Sequence, residues 1–144
     1  MWGIFLEKRI IYIMDSKKFL IRLILLIFFI FLLNYLALQF YWYSSVWYID
    51  MFMHFLGGAW AGLALIWFFR LEELSSKSIL KIILGVLLIG VFWEIFEIIV
   101  NRITTENLFN VLDTASDIFF DLAGGLLAIF YFLKRVMSIK ENTL

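Results

Sequence analysis

The 144-residue chain contains no cysteine and no proline, and its 12 acidic and 12 basic side chains leave it without net charge. Without cysteine the chain can form no disulfide and offers no thiol nucleophile. Balanced charge argues against nucleic acid as a partner, because surfaces that bind nucleic acid are rich in Lys and Arg. With one histidine, His54, the chain has a single imidazole for acid–base or metal chemistry.

Apolar residues dominate the amino-acid composition of the chain. The chain is 65% hydrophobic and 20% aromatic, against roughly 45–50% apolar residues in a soluble domain. Continuous apolar runs exclude the alternating strands of a membrane barrel, and about 20 residues suffice for one helical crossing. We therefore predict an all-α integral membrane four-helix bundle. It forms a single transmembrane domain over residues 1–144, with spans at about 19–43, 46–69, 79–100 and 113–133.

The basic residues predict how these helices cross the membrane. They cluster before the first span, between spans two and three, and after span four, whereas the first connection has none and the third has only Arg102. Because Lys and Arg stay on the cytoplasmic side, both termini and the middle loop are predicted to be cytoplasmic. Residues 1–18 lack a small-residue cleavage site and are predicted to be retained, with residues 4–14 forming a short helix on the inner membrane surface. Short connections predict that consecutive helices are antiparallel neighbours.

Seven ionisable side chains lie within or at the edge of the predicted spans. They are Asp50, His54, Glu94, Glu97, Asp113, Asp117 and Asp121. Charged groups are costly in lipid, so they normally face a protein interior or a wet cavity and mark a functional site. Counted at about 1.5 Å per residue from the cytoplasmic basic residues, one layer in the outer half of the membrane contains His54, Glu94, Glu97, Asp117 and Asp121. Asp50 and Asp113 are predicted to lie nearer the outer surface. Asn34 on the first span falls near this layer, whereas Asp113 has an alternative role as a helix N-cap.

The spacing of these residues places each set on one helix face. Asp50 and His54 are four residues apart, Glu94 and Glu97 are three apart, and the aspartates of span four repeat every four residues. Stripes at one depth in a small bundle are expected to face each other around an acidic pocket that opens outward. No Lys or Arg lies in this layer, so a cation or protons must balance the carboxylates.

Carboxylates with one imidazole suggest a divalent cation such as Mg²⁺, Mn²⁺ or Zn²⁺. The predicted ligands are Asp50, His54, Glu94, Glu97, Asp117 and Asp121, and the catalytic candidates are His54, Asp50 and Glu94. A metal there could act on a phosphoryl or carbonyl oxygen or activate water. The predicted partners are membrane lipid and a lipid-linked or amphiphilic ligand, consistent with a metal-dependent hydrolase or phosphotransferase.

Two other functions are compatible with the sequence. One is a small transporter in which the same carboxylates relay protons or cations. The inner halves of the spans are almost wholly apolar, which disfavours a simple channel. Alternating access usually needs broken helices, and the chain has no proline, although Gly57–Gly58 and Gly124–Gly125 could bend. The other is a non-catalytic envelope resistance or assembly factor whose pocket only holds a lipid.

A short sequence pattern occurs at the start of both outward-entering spans. Span two begins DMFMHFLGG (Asp50–Gly58) and span four begins DIFFDLAGG (Asp117–Gly125), so both read D-x3-H/D-x2-G-G. This match suggests a duplicated helical hairpin. The glycine pairs predict close approach of helix backbones just below the polar residues, since small residues permit such packing.

Three motifs carry a family resemblance. D-x3-H-F from Asp50, W-E-x-x-E from Trp93, and D-x3-D-x3-D-x2-G-G from Asp113 resemble the VanZ-like membrane proteins and the related YjdF-type family over roughly the last two-thirds of the chain. VanZ-like proteins often carry Asn where Asp121 stands and Gln near Glu97, so this chain is nearer the YjdF pattern. The resemblance implies a multi-pass protein of the bacterial cytoplasmic (inner) membrane. Some VanZ-like members are linked to teicoplanin resistance, and the resemblance implies no established reaction.

Overall fold

The computed structural model describes residues 2–71, 75–104 and 109–141. Over these residues it contains helices and no strand. The helices are α1 (Trp2–Gln39), α2 (Trp42–Ser45), α3 (Ile49–Phe68), α4 (Ser76–Thr104) and α5 (Val111–Glu141). Within the described part of the chain, four segments are long and apolar enough to cross a membrane: Ser16–Gln39, Ile49–Phe68, Ser76–Ile103 and Val111–Arg135. The predicted all-α membrane bundle is therefore confirmed.

The first helix differs from the predicted one at both of its ends. It ends at Gln39 instead of near residue 43, because Tyr41 adopts the left-handed conformation (φ 56°) and α2 begins as a separate turn. At the other end, residues 4–14 are helical but continuous with the first span. The prediction of a separate surface helix is therefore wrong. The 38 residues of α1 extend about 57 Å, nearly twice the thickness of the hydrocarbon core of a bilayer.

The central helix of the bundle is α3, which packs against α1, α4 and α5 and most extensively against α5. Helices α3 and α5 run parallel, since Gly58 of α3 lies against Asp121 of α5 and Gly62 of α3 lies against Gly125 of α5. Helix α4 runs antiparallel to both. The bundle thus has two ends. We call the end where α3 and α5 begin and α4 finishes the acidic end, and the opposite one the basic end.

Glycines set the close packing of α3 on α5. A Cβ atom built on Gly58 would overlap the backbone carbonyl of Asp121, and one built on Gly124 would overlap the backbone of α3 at Phe55. Close backbone approach is thus confirmed at one glycine of each pair, Gly58 and Gly124. The two pairs are not equivalent, however, because the position of a Cβ on Gly57 is open. The sequence match between the two segments is therefore not repeated in their packing.

Small and branched apolar side chains fill the bundle beyond the glycines. The buried cluster comprises Ala61, Ile66, Ile82, Val86, Ala128 and Ile129, contributed by α3, α4 and α5. Helix α1 is attached to the side of this core, where Trp60 Nε1 of α3 donates a hydrogen bond of 3.0 Å to the Leu23 carbonyl oxygen. Much of the surface of α1 is exposed and apolar, as expected for a face in contact with lipid.

Candidate functional site

His54 lies at the centre of a cluster of carboxylates from three helices. It projects from α3 near the acidic end and is only 6% exposed. Its Nε2 atom lies 3.9 Å from Asp50 Oδ1 and 3.7 Å from Glu94 Oε1. Its Nδ1 atom lies 3.4 Å from Asp121 Oδ2. The structure thus brings together residues of α3, α4 and α5 that are far apart in the sequence.

The imidazole ring of His54 presents its two nitrogens to different neighbours. Nδ1 faces Asp121, and in the tautomer that carries hydrogen on Nδ1 the ring donates to Asp121 Oδ2. The lone pair of Nε2 then points toward Asp50 and Glu94. An imidazole held in this way by a carboxylate is the usual arrangement of a metal-ligating histidine and its supporting residue.

Glu97 and Asp117, the two remaining residues of the predicted ligand set, lie in the same cluster. Two groups have potential ligand atoms that all lie within 4.8 Å of one another: Asp50, His54 and Asp117, and His54, Glu94 and Glu97. Asp117 is buried and Glu97 is half-buried. His54 belongs to both groups and its Nε2 has one lone pair, so the two groups are alternative ligand sets for a single ion. Asp121 is outside both groups and contacts the opposite side of the ring.

The carboxyl group of Glu94 has an unusual environment. Its Oε1 atom is buried and has no hydrogen-bond partner among the described residues, while Thr114 lies within hydrogen-bonding range of the carboxyl group. Leaving a buried acceptor without a partner costs roughly 1–3 kcal/mol, and more if it is charged. A bound cation or a proton would satisfy this oxygen.

A glycine of α4 makes room for Asp121. A Cβ atom at Gly90 would lie 2.5 Å from Asp121 Oδ2, so no other residue fits there without moving the carboxyl group. Sequence reasoning did not include Gly90 in the site. The available signal was its position four residues before Glu94, which places both residues on one face of α4.

Tyr43 of α2 lies beside the acidic end and was also missed, because it resembled an ordinary aromatic residue at the membrane surface. Its hydroxyl donates a 2.6 Å hydrogen bond to Asn34 Oδ1. Tyr43 is 37% exposed. Its partial burial, followed by the nearby charges of Asp50 and Glu97, raises the pKa of Tyr43 to about 12. The phenol therefore keeps its proton and remains a donor at neutral pH. Asn34, which was predicted to lie near the polar layer, is bound to Tyr43.

Asp113 lies outside both groups of potential ligand atoms. It is exposed in the first turn of α5, where a carboxylate interacts favourably with the helix dipole. The helix cap is Asn110, whose side-chain oxygen accepts a 3.1 Å hydrogen bond from the Leu112 backbone N–H. The N-cap interpretation of Asp113 is therefore wrong, because α5 begins at Val111 and Asp113 lies inside its first turn.

A comparison of the sequence with known protein families identifies the family of this chain. A family model described as "Predicted membrane protein (DUF2238)" matches residues 9–137. This match covers most of the chain, which therefore belongs to that family. No curated protein and no solved structure matches the chain significantly. The family description agrees with the predicted multi-pass membrane protein, and it does not distinguish the narrower VanZ-like or YjdF-type resemblance.

Proposed function

We propose that this member of the family holds a divalent cation between α3, α4 and α5 and uses it to bind or process an envelope lipid or lipid-linked phosphate. The observation that carries the proposal is the buried, unpartnered Glu94 Oε1, which faces His54 Nε2 across 3.7 Å. A cation between these two atoms would satisfy both. It would also balance the negative charge of the neighbouring carboxylates, which is otherwise costly in a buried site.

The distances around His54 suit such an ion. A tetrahedral metal with bonds of about 2.1 Å holds its ligand atoms roughly 3.4 Å apart. The distances from Nε2 to Asp50 and Glu94 are 3.9 and 3.7 Å, so small side-chain movements would complete the coordination. Among the candidate metals, Zn²⁺ and Mn²⁺ are favoured over Mg²⁺ because the set combines an imidazole nitrogen with carboxylate oxygens.

Asp121 has a different proposed role from the other carboxylates. It lies against His54 Nδ1, so it would fix the tautomer and orientation of the imidazole while Nε2 binds the metal. Gly90 supports this arrangement by leaving space for the Asp121 carboxyl group. We therefore propose that Asp121 positions His54, whereas the sequence alone predicted it as a direct ligand.

The accessible edge of the cluster would be the place of reaction. Asp50 has 36% of its side chain exposed and Glu97 is half-buried, so both could reach water and a lipid head group. A cation held there would supply polarisation of a phosphoryl oxygen. Glu97 could accept a proton from a water molecule that attacks the phosphorus and could return it to the lipid alkoxide that departs as the P–O bond breaks. The positive-inside rule would place this edge on the extracytoplasmic side of a bacterial inner membrane, with both termini cytoplasmic.

Metal analysis of the purified full-length protein tests this proposal. After incubation with Zn²⁺ or Mn²⁺ and removal of free metal, the parent should retain about one ion per chain. His54→Ala and Glu94→Gln should each lower retained metal more than tenfold, because each removes a central ligand. Asp113→Asn is the matched control, since it neutralises a nearby carboxylate that lies outside the cluster. Failure of the parent to retain metal, or equal retention by all four proteins, would contradict the proposal.

A further inference from the structure

A cleft lies on the side of the bundle where α1 approaches α3 and α5. It has a volume of about 110 Å³ and is lined by Phe19, Arg22, Leu23, Leu26, Leu63 and Tyr131. Most of these side chains are apolar, and Arg22 and Tyr131 provide its polar groups. The cleft is separate from the cluster around His54, since its α3 residue, Leu63, lies nine positions, or about 14 Å along the helix, toward the basic end.

The polar groups of the cleft are arranged for an anion. Arg22 Nη1 donates a 3.5 Å hydrogen bond to the Tyr131 hydroxyl oxygen, so the hydroxyl hydrogen can still be donated to another acceptor. The guanidinium group of Arg135 lies over the Phe19 ring, 5.5 Å from its centroid. Two guanidinium groups therefore lie near this cleft. Within the described part of the chain, no carboxylate forms an ion pair with Arg22.

We infer that this cleft binds an anionic membrane phospholipid. The phosphodiester group would accept hydrogen bonds from Arg22 and Tyr131, and an acyl chain would lie against Leu23, Leu26 and Leu63. Charge complementarity selects an anionic lipid, and the apolar walls select a lipid over a free phosphate ion. Basic pockets between transmembrane helices bind anionic head groups on this physical basis.

Native mass spectrometry of the full chain with defined lipids tests the inference. The parent should retain phosphatidylglycerol in preference to phosphatidylcholine, and excess inorganic phosphate should not displace the lipid. Arg22→Gln should weaken retention about fivefold, since one basic side chain contributes about that factor to binding an anionic lipid. Tyr131→Phe should have a smaller effect in the same direction, because it removes only one donor.

Arg70→Gln is the matched control. It removes the same charge from an exposed arginine at the basic end, outside the cleft, and should leave lipid retention unchanged. Equal retention of both lipids by the parent, displacement of the lipid by phosphate, or equal weakening by Arg22→Gln and Arg70→Gln would each overturn the inference. If Arg22→Gln does not fold, Arg22→Lys is the second variant, because it keeps the charge and loses the guanidinium fork of donors. Its lipid retention should fall below that of the parent. Retention at or above the parent level would count against the site.

Discussion

The same three helices build two very different interiors. At the acidic end, α3, α4 and α5 bury ionisable groups, namely His54, Glu94, Asp117 and Asp121. Farther along the bundle they bury Ile66, Ile82, Val86 and other apolar residues. The second interior stabilises the fold by close packing, whereas the first carries groups that are costly to bury at membrane depth. The difference separates packing that stabilises the fold from a buried cluster whose charge must be balanced by a proton or a cation.

The close contact between α3 and α5 gives the largest expected effect. Gly58→Val should destabilise the protein by more than about 4 kcal/mol or prevent folding, because its side chain would overlap the backbone of α5 at Asp121. Gly57→Ala should be neutral or stabilise α3 by up to about 1 kcal/mol, because a Cβ there meets nothing. Thermal unfolding in one detergent would compare the two variants. Similar losses for neighbouring glycines would show that the described packing of α3 on α5 is incorrect.

The comparison between the two interiors can be tested with one variant from each. Ile82→Ala should destabilise the fold by about 2–5 kcal/mol, because it leaves a cavity at a fully buried position. Glu94→Gln, measured without metal, should change stability much less and in either direction, because it removes an uncompensated buried charge. Denaturant or thermal unfolding would measure both. A larger loss for Glu94→Gln would show that the acidic end also holds the fold together.

The smallest expected effect concerns Asp121, which either positions His54 or binds the metal directly. If Asp121 positions His54, Asp121→Ala should weaken metal affinity about 10–100-fold. Asp121→Asn should retain most of the affinity, because an amide oxygen can still accept the hydrogen bond from Nδ1. Calorimetric titration of metal into both variants would measure this. Equally large losses in the two variants would instead indicate that Asp121 is a direct ligand.

Much of the architecture could be predicted from the sequence because it depends on composition and helical periodicity. The apolar runs indicate four spans, and the four-residue spacing of Asp50 and His54 places both on one face of α3. Helix ends were less predictable. The left-handed Tyr41 ends α1 early, and Asn110, not Asp113, caps α5. These ends depend on single residues that carry no strong signal in an apolar chain.

The finer geometry of the site could not be predicted because it depends on how each helix is rotated. Adjacent residues of a helix point about 100° apart. This rotation makes Gly58 contact α5 while Gly57 is open. It also decides that Asp121 faces Nδ1 of His54 and Glu94 faces Nε2. Spacing along one helix fixes which residues share a face, and it gives no information about the atom of the neighbouring helix that they meet.

The parallel pairing of α3 with α5 has a consequence for biogenesis. The glycine face of α3 packs on a helix that is synthesised only after α4 has been made. His54 is therefore synthesised 67 residues before its Asp121 partner. The acidic end can form only after α5 has been synthesised, so a chain truncated before α5 would leave His54 without Asp117 and Asp121 beside it.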